Sequence, residues 1–231
     1  MSKDQKIFLP EGRYIFTSKD GAITTSLLDM KIDQGFKDLV IPEELMPLNS
    51  VEYLQQNIDS KKYFIQLGYW GQPSNDNINL GMIDPALEWR KSESKEEAIK
   101  VFDSTVVPFF NETWKDYLPQ SFIDSYDVCY PLFKEDSCLI IKYKNNLVGT
   151  ALLLDGLKDY NEKLVSQLGW IYIAKEVPIP LRKEMQLIIE KWLSENAKLK
   201  IQAGIHLYNT RSQKFVTRMG FELKCAHILK R

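Results

Sequence analysis

The run CLIIKYKNNLVGTALLL, residues 138–154, decides the fold of this chain together with the run NTRSQKFVTRMGFEL, residues 209–223. In the first run, two β-rich segments flank Lys144-Asn145-Asn146, a pattern that predicts an antiparallel hairpin. In the second run, residues 209–219 predict a short helix that ends at Gly220, followed by a last strand over 221–229. Both runs lie in the C-terminal three-fifths of the chain, where the pattern of elements is sharpest.

Helices and strands alternate around these two runs. Ser94 followed by Glu97 forms a capping box that opens an amphipathic helix. Pro180 stands in the first turn of a strong helix with a single apolar stripe. The remaining predicted elements are a helix over about 119–130 and strands over 170–174 and 201–208. The predicted order is α-α-β-β-β-α-β-α-β, and the fold class is α+β.

The N-terminal part predicts a small β-rich region, and no motif in it indicates a role. Strand-like segments are separated there by turn signals, and Ser50 suits the N-cap of a short helix. The strand-like segments are 6–10, 13–18, 37–42, 61–70 and 77–84. We therefore divide the chain into a β-rich N-terminal region, 1–93, and a second domain, 94–231.

Composition excludes several classes of protein. With 44% hydrophobic and 26% charged residues, the 231-residue chain is neither disordered nor of low complexity. No apolar run approaches the roughly 18 residues of a membrane span, and the charged start does not resemble a signal peptide. The three cysteines lack metal-ligand spacing, and Asp124, Asp127, Glu135 and Asp136 are scattered acids. We expect a cytoplasmic protein with no metal site and no membrane partner.

Charge is distributed unevenly along the chain. Residues 175–231 carry twelve Lys and Arg against five Asp and Glu, although the net charge of the whole chain is −1. A basic segment suits a small anionic ligand such as phosphate, and a solvated helix face with scattered lysines explains the same charge. Nucleic-acid binding is disfavoured because basic and aromatic residues do not interleave along one run.

The element order and the ending resemble the GNAT superfamily of N-acetyltransferases over about residues 94–231. The ending is similar to the family's Asn-x-x-Ala-x-x-Phe-Tyr-x-Lys-x-Gly-Phe pattern. Matching positions are Asn209, Phe215, Gly220 and Phe221, with Ser212 and Arg218 replacing the Ala and the Lys. The resemblance implies a mixed, splayed sheet flanked by helices. A generic βαβ unit in which Gly220 is simply a helix C′ residue is the structural alternative.

The resemblance also implies an acyl-CoA site, with acetyl-CoA as co-substrate. Family members hold the pyrophosphate on a glycine-rich loop at the start of the long helix. The matching segment here, 176–183, has two prolines and no glycine, and Arg182 and Lys183 offer charge instead. The strand before that helix would bind the pantetheine arm through its backbone. Asn209 serves the cofactor arm in the family, and it suits the N-cap of the following helix equally well. The other implied cofactor positions are Ile173, Ala174, Val177, Ser212 and Phe215.

The catalytic positions of the family are matched less closely. The tyrosine that protonates the leaving thiolate falls on Val216 here, and Tyr208 is the nearest substitute. Glu176 is the candidate general base by position. Tyr208 has an alternative role as a half-buried packing residue, and Glu176 as a solvated loop acid. His206 and His227 alternate with apolar neighbours on strands, which is typical of structural histidines.

Two functions stay open on the sequence. The first is a divergent GNAT-like N-acyltransferase that moves an acetyl or other acyl group from acyl-CoA to an unidentified amine. The second is an inactive GNAT-fold binding or scaffolding module. The missing glycines and Val216 favour the second function, whereas the preserved ending and the basic C-terminal quarter favour the first. The aromatic segment 61–70 is compatible with a homodimer.

Overall fold

A computed structural model describes residues 5–8, 14–17, 38–42, 50–61, 63–72, 83–113, 126–159 and 163–230. The strands in these residues are β1 (Gln5–Phe8), β2 (Tyr14–Thr17), β3 (Asp38–Pro42), β4 (Tyr63–Gly71), β5 (Leu87–Lys91), β6 (Cys138–Tyr143), β7 (Asn146–Lys158), β8 (Leu164–Ile173), β9 (Ile201–His206) and β10 (Glu222–Lys230). The α-helices are α1 (Ser50–Asn57), α2 (Lys95–Thr113), α3 (Ile179–Asn196) and α4 (Thr210–Arg218), and a 3-10 helix covers Tyr126–Leu132.

The chain divides into two compact units that do not follow chain order. The first unit comprises 1–70, 158–163 and 203–231, and the second comprises 71–157 and 164–202. The first unit therefore combines the N-terminal strands with the last helix and strand. The division at residue 93 that the sequence suggests stays a prediction.

The first unit is built on strands in the order β1-β2-β3-β10-β4-β9, with β9 entering it at Ala203. β10 runs antiparallel to both β3 and β4, and Ala226 pairs with Ile41 on one side and Leu67 on the other. These three side chains are fully buried. β2 and β3 are parallel, so the sheet of this unit is mixed. A strand from the N-terminal region is thus a central part of the core around β10.

The second unit has the strand order β5-β6-β7-β8. β6 and β7 form the predicted hairpin, and Lys144 and Asn145 at its turn have φ of 49° and 67°. Two successive positive φ angles are the geometry of a tight hairpin turn that follows the twist of the strands. β5 pairs antiparallel with β6 at the edge of this unit.

Two helices cover opposite faces of the second unit's strands. A Cβ at Gly149 would overlap with Met185 Cε of α3 and lie 3.2 Å from the Tyr172 carbonyl oxygen, so glycine lets α3 pack closely on β7. On the other face, Phe102 of α2 has its ring 5.5 Å from that of Phe133 and 5.8 Å from that of Trp170. Burial of these large side chains supplies most of the driving force for docking both helices.

The fold class is α+β with a mixed sheet flanked by helices, and from α2 onward the predicted order of elements is confirmed in the described residues except for the second helix. The predicted helix at 119–130 is a 3-10 helix over 126–132, where Pro131 has no N–H for an α-helical ladder, and 114–125 lie outside the described residues. The strands on either side of residues 159–163 are longer than the sequence predicts: β7 extends to Lys158, and β8 begins at Leu164 and not at residue 170. Most of the predicted strand 77–84 lies outside the described residues.

Candidate functional site

The turn after β8 leads directly into α3, and its backbone is tightly bonded. Ala174 is buried, and its N–H donates to the Val148 carbonyl oxygen at 2.9 Å. Val177 is also buried, and its N–H donates to the Ala174 carbonyl oxygen at 3.2 Å. Both residues were predicted to contact a cofactor arm, and both turn apolar side chains inward while their N–H groups bond within the chain.

Arg182 folds back from the first turn of α3 onto this same turn. Its Nε donates to the Val177 carbonyl oxygen at 2.7 Å, and a terminal guanidinium nitrogen donates to the Lys175 carbonyl oxygen at 2.6 Å. The guanidinium therefore satisfies carbonyls of the turn, a positioning role that cannot be distinguished from phosphate binding on the sequence alone. Lys183 is exposed on the next position of the helix.

The start of α3 offers few free backbone N–H groups that could bind a phosphate. Its N-cap is Pro178, with no side-chain cap, and Pro180 follows within the first turn. Neither proline has an N–H, and the Arg182 N–H already bonds to the Pro178 carbonyl oxygen at 3.0 Å. Only Ile179 and Leu181 keep backbone donors ahead of Arg182, whereas a glycine-rich loop presents a concave set of them.

The C-terminal half of β8 is only half-buried on both of its faces. From Gly169 to Ile173 every residue is intermediate in exposure, although the strand is flanked by a well-packed core at Val165 and Leu168. Ile173, one of the predicted arm-binding positions, is the last residue of this segment. An extended ligand that pairs with a strand needs strand residues that solvent can reach, as these can.

Charged groups collect around the end of β8. Glu176 is exposed, and Lys175 Nζ lies 3.4 Å from Glu112 Oε2 at the last turn of α2. Burial raises the pKa of the Tyr172 phenol, and the carboxylates of Glu176 and Glu112 raise that pKa further. Sequence reasoning considered Tyr172 only for its backbone, as part of the arm-binding strand, and did not single out Glu112. The alternation of Trp170 and Tyr172 on β8 was the one available signal that both rings share a face.

The start of α4 contrasts with that of α3. Asn209 Oδ1 accepts a hydrogen bond from the Ser212 backbone N–H at 3.1 Å, so Asn209 is the N-cap of this helix. Gln213 is buried, and its Nε2 donates to the Leu207 carbonyl oxygen at 2.8 Å. Phe215 is half-buried and Val216 is buried. The position that carries the acid in the family is therefore part of an apolar interior in this chain.

Tyr208 and His206 lie together before α4. The Tyr208 backbone N–H donates to His206 Nδ1 at 3.4 Å, and the two rings are 5.8 Å apart between centroids. The His206 ring also lies 5.1 Å from that of Phe64. Because Nδ1 accepts, the neutral imidazole carries its proton on Nε2. Both side chains are half-buried.

The predicted site residues fall into two sets. Within the second unit the structure brings together Ile173, Ala174, Glu176, Val177, Arg182 and Lys183. Within the first unit it brings together Tyr208, Asn209, Ser212 and Phe215. The cofactor and catalytic roles of both sets stay predictions.

Several solved structures are similar to this chain at low sequence identity. A GCN5-related N-acetyltransferase from Kribbella flavida is 11% identical with a TM-score of 0.47, over 98% of this chain and 89% of that one. A GNAT-family acetyltransferase from Colwellia psychrerythraea is 14% identical with a TM-score of 0.47, over 94% and 81%. A functionally unknown conserved protein from Staphylococcus epidermidis is 14% identical with a TM-score of 0.44, over 94% and 84%. At these scores the likenesses carry no inference about activity.

No family model and no curated protein matches the sequence. Among the helices that the structure describes, none has the length and apolar character to cross a membrane. In the same part of the chain, no group of three His, Cys, Asp or Glu residues is placed to hold a metal ion.

Proposed function

We propose that this chain is a divergent GNAT-like N-acyltransferase that transfers an acetyl or other acyl group from acyl-CoA to an amine. The observation that carries the proposal is the half-exposed strand segment 169–173, which runs into the turn 174–177 and then into α3. An acyl-CoA would lay its pantetheine arm along this backbone by strand-like hydrogen bonding. Such pairing depends on the main chain, so it tolerates a rewritten phosphate loop.

The proposed reaction joins an amine nitrogen to the thioester carbonyl carbon. Glu176, exposed beside the end of β8, takes a proton from the incoming ammonium, which frees the lone pair for attack. The C–N bond forms, the C–S bond breaks, and the thiolate of CoA takes a proton from solvent. The nitrogen loses a second proton to solvent as the amide forms and keeps the third. Orientation of the two substrates supplies much of the rate because no buried acid replaces Val216.

Phosphate recognition in this proposal depends on Lys183 more than on Arg182. The Arg182 guanidinium is held by the Lys175 and Val177 carbonyls, whereas Lys183 is exposed at the same end of α3. We expect Lys183→Ala to weaken acyl-CoA binding through lost charge alone. Arg182→Ala should weaken it through a disordered turn, with a measurable loss of stability as well.

The test is isothermal titration of the protein with acetyl-CoA and with CoA. Support is saturable binding that Lys183→Ala weakens by about three- to tenfold, in the range of one exposed charge contact. The matched control is Lys191→Ala on the same helix, a lysine already paired with Glu195, which should leave the affinity unchanged. Absence of binding at millimolar acetyl-CoA would sink the proposal.

A second candidate, an inactive binding module, is favoured by Val216, which is only 3% exposed. Because the position of Val216 is buried and apolar, this position provides no side chain that could donate a proton to the leaving thiolate. The two candidates differ in turnover: the module binds acetyl-CoA without releasing CoA thiol in the presence of any amine. A thiol-release assay over primary amines of different size separates them once binding is established.

A further inference from the structure

One end of the second unit combines aromatic rings with carboxylates. We call this region the aromatic–acidic surface. It consists of Phe109, Phe110 and Glu112 from α2, Trp170 and Tyr172 from β8, and Glu176 from the following turn.

The four rings of this surface pack against one another and remain partly open to solvent. Phe110 and Trp170 meet edge-to-face with centroids 4.2 Å apart, and Phe109 lies 5.8 Å from Tyr172 and 6.0 Å from Phe110. All four side chains are half-buried, and three of them pack on the α2 core cluster that contains Phe102. Partly accessible aromatic rings attract cations because the face of each ring carries partial negative charge.

The charges at this surface are arranged for a cation as well. Glu112 stands in the last turn of α2, which contains no basic residue, so the negative end of the helix dipole adds to its carboxylate. Glu176 contributes a second carboxylate near the Tyr172 phenol, and the pKa of that phenol is raised by burial first and by both carboxylates next. The phenol therefore stays protonated at neutral pH and remains able to donate a hydrogen bond.

The chain itself already places a primary ammonium here. Lys175 Nζ lies 3.4 Å from Glu112 Oε2, with the two side chains 67% and 69% exposed. An ion pair this exposed is weak and readily exchanged. Lys175 thus shows that the position accepts an alkylammonium group, and its weak hold leaves that position open to competition.

We propose that the aromatic–acidic surface binds the acceptor of the acyl transfer as an ammonium ion attached to an apolar or aromatic body, and that Lys175 occupies the ammonium position until the acceptor displaces it. This inference rests on the proposed acyltransferase function. Glu112 holds the ammonium, the rings hold the body, and Glu176 stands beside them at the end of β8. The same arrangement disfavours anionic and uncharged acceptors.

The test uses 2-phenylethylamine as the probe and 2-phenylethanol as its neutral counterpart, titrated into the full chain without acyl-CoA and followed by ligand-observed NMR. We expect the amine to bind and the alcohol to bind at least five-fold more weakly. Glu112→Gln should weaken amine binding about three- to tenfold. Lys175→Met should tighten it about two- to five-fold because the internal competitor is removed.

Matched controls keep these results specific. Glu96→Gln changes an exposed carboxylate at the opposite end of α2, and Lys191→Met changes a lysine paired on α3, so both should leave amine affinity unchanged. Melting temperatures show whether each variant is folded. Tightening by Lys175→Met is the decisive result, since an ion pair with a purely structural role would give no change or a weaker site.

Two results would overturn the inference: equal affinity for the amine and the alcohol, or amine affinity unaffected by both Glu112→Gln and Lys175→Met. Acetyl-CoA titration of the same samples separates this failure from that of the proposed function. Binding of acetyl-CoA without a preference for the ammonium ion would refute the acceptor site on the aromatic–acidic surface and leave the acyltransferase proposal intact. An ammonium preference in a protein that does not bind acetyl-CoA defeats the acyltransferase and leaves a cation site.

Discussion

The helices α3 and α4 begin in opposite ways. α3 starts at a proline cap with no side-chain hydrogen bond, and Arg182 reaches back to bind the carbonyls of Lys175 and Val177. α4 starts at Asn209, whose amide oxygen accepts the Ser212 N–H. The first start departs from the family pattern in sequence and the second preserves it, yet in both the polar groups bond within the chain.

The start of α4 matches the GNAT sequence pattern and the start of α3 does not, but both starts are stabilised by hydrogen bonds within the chain. At α4 the N-cap satisfies one of the orphan N–H groups of the first turn. At α3 the prolines reduce the number of orphan donors, and the arginine satisfies the carbonyls of the turn before the helix. Stability of α3 should then depend on packing, and stability of α4 on its cap.

The largest expected effect is the loss of packing under α3. Met185 is fully buried and lies over Gly149, so Met185→Ala should lower the free energy of unfolding by about 3 kcal/mol through lost burial and a cavity. Urea denaturation followed by circular dichroism measures it. The exposed neighbour Lys183→Ala should stay within about 0.5 kcal/mol of the parent chain. A loss below about 1 kcal/mol for Met185→Ala would mean that packing does not hold α3.

A smaller effect is expected at the start of α4. Asn209→Ala should cost about 1 kcal/mol because the Ser212 N–H loses its acceptor, while Asn209→Ser keeps an oxygen at the cap and should recover most of the stability. Amide exchange at Ser212 should accelerate in the alanine variant alone. If alanine and serine variants are equally stable, the cap does not support α4, and the contrast with α3 fails.

The two hydrogen bonds from Arg182 to the turn before α3 should contribute about as much to the free energy of unfolding as the Asn209 cap does, or slightly less. Arg182→Met keeps the aliphatic stem and removes both hydrogen bonds, so we expect a loss of about 1 kcal/mol and faster amide exchange at Val177. The stability of Arg182→Lys should lie between that of the parent chain and that of Arg182→Met, because one ammonium group cannot reproduce the planar guanidinium fork. Unchanged amide exchange at Val177 in the methionine variant would show that the Arg182 hydrogen bonds do not stabilise the turn.

The smallest effect is expected at the start of α2, a third helix start that can be compared with those of α3 and α4. Ser94 Oγ accepts the Glu97 N–H at 3.0 Å, as the capping box predicted, and the Glu97 carboxylate accepts the Glu93 N–H at 2.8 Å and binds Arg90. The hydrogen bond from Arg90, followed by that from the Glu93 backbone, lowers the pKa of Glu97 to about 2. Solvent screening limits the pair to less than about 1 kcal/mol.

Because the pKa of Glu97 is lower in the folded chain than its usual 4.5, its contribution is complete above about pH 4.5 and is lost as pH falls towards about 2. Glu97→Gln should therefore be less stable than the parent at pH 7, and the gap should shrink between pH 4.5 and pH 2. Glu96→Gln serves as the control. A gap that is independent of pH would show that Glu97 acts through packing and not through charge.

Local patterns were sufficient where neighbouring residues fix the structure. The turn at Lys144 and Asn145, the cap at Asn209 and the box from Ser94 to Glu97 are all short-range hydrogen-bonding or φ preferences, and all three are confirmed. β5 was missed because only its first residue, Leu87, is buried, and a charged edge strand shows no alternation. Its pairing with β6 comes from tertiary structure.

The candidate site divides along the same line. Sequence reasoning selected the turn 174–177 and the residues Arg182 and Lys183, but it could not tell a phosphate-binding arginine from one that bonds its own backbone. The Glu112–Lys175 pair spans 63 positions and has no signal in the sequence. Such pairs depend on which elements meet in space, and local preferences do not encode that.

The sequence alone predicts the order of elements from α2 onward apart from the 3-10 helix, as well as the hairpin and the capped starts of α2 and α4, because these follow from interactions within a few residues. Only the tertiary structure decided that β4 lies between β9 and β10, that Arg182 faces the turn, and that rings and carboxylates from α2 and β8 share one surface. The physical reason is that long-range pairing is selected by burial and complementarity across the folded chain, and no single segment contains that information.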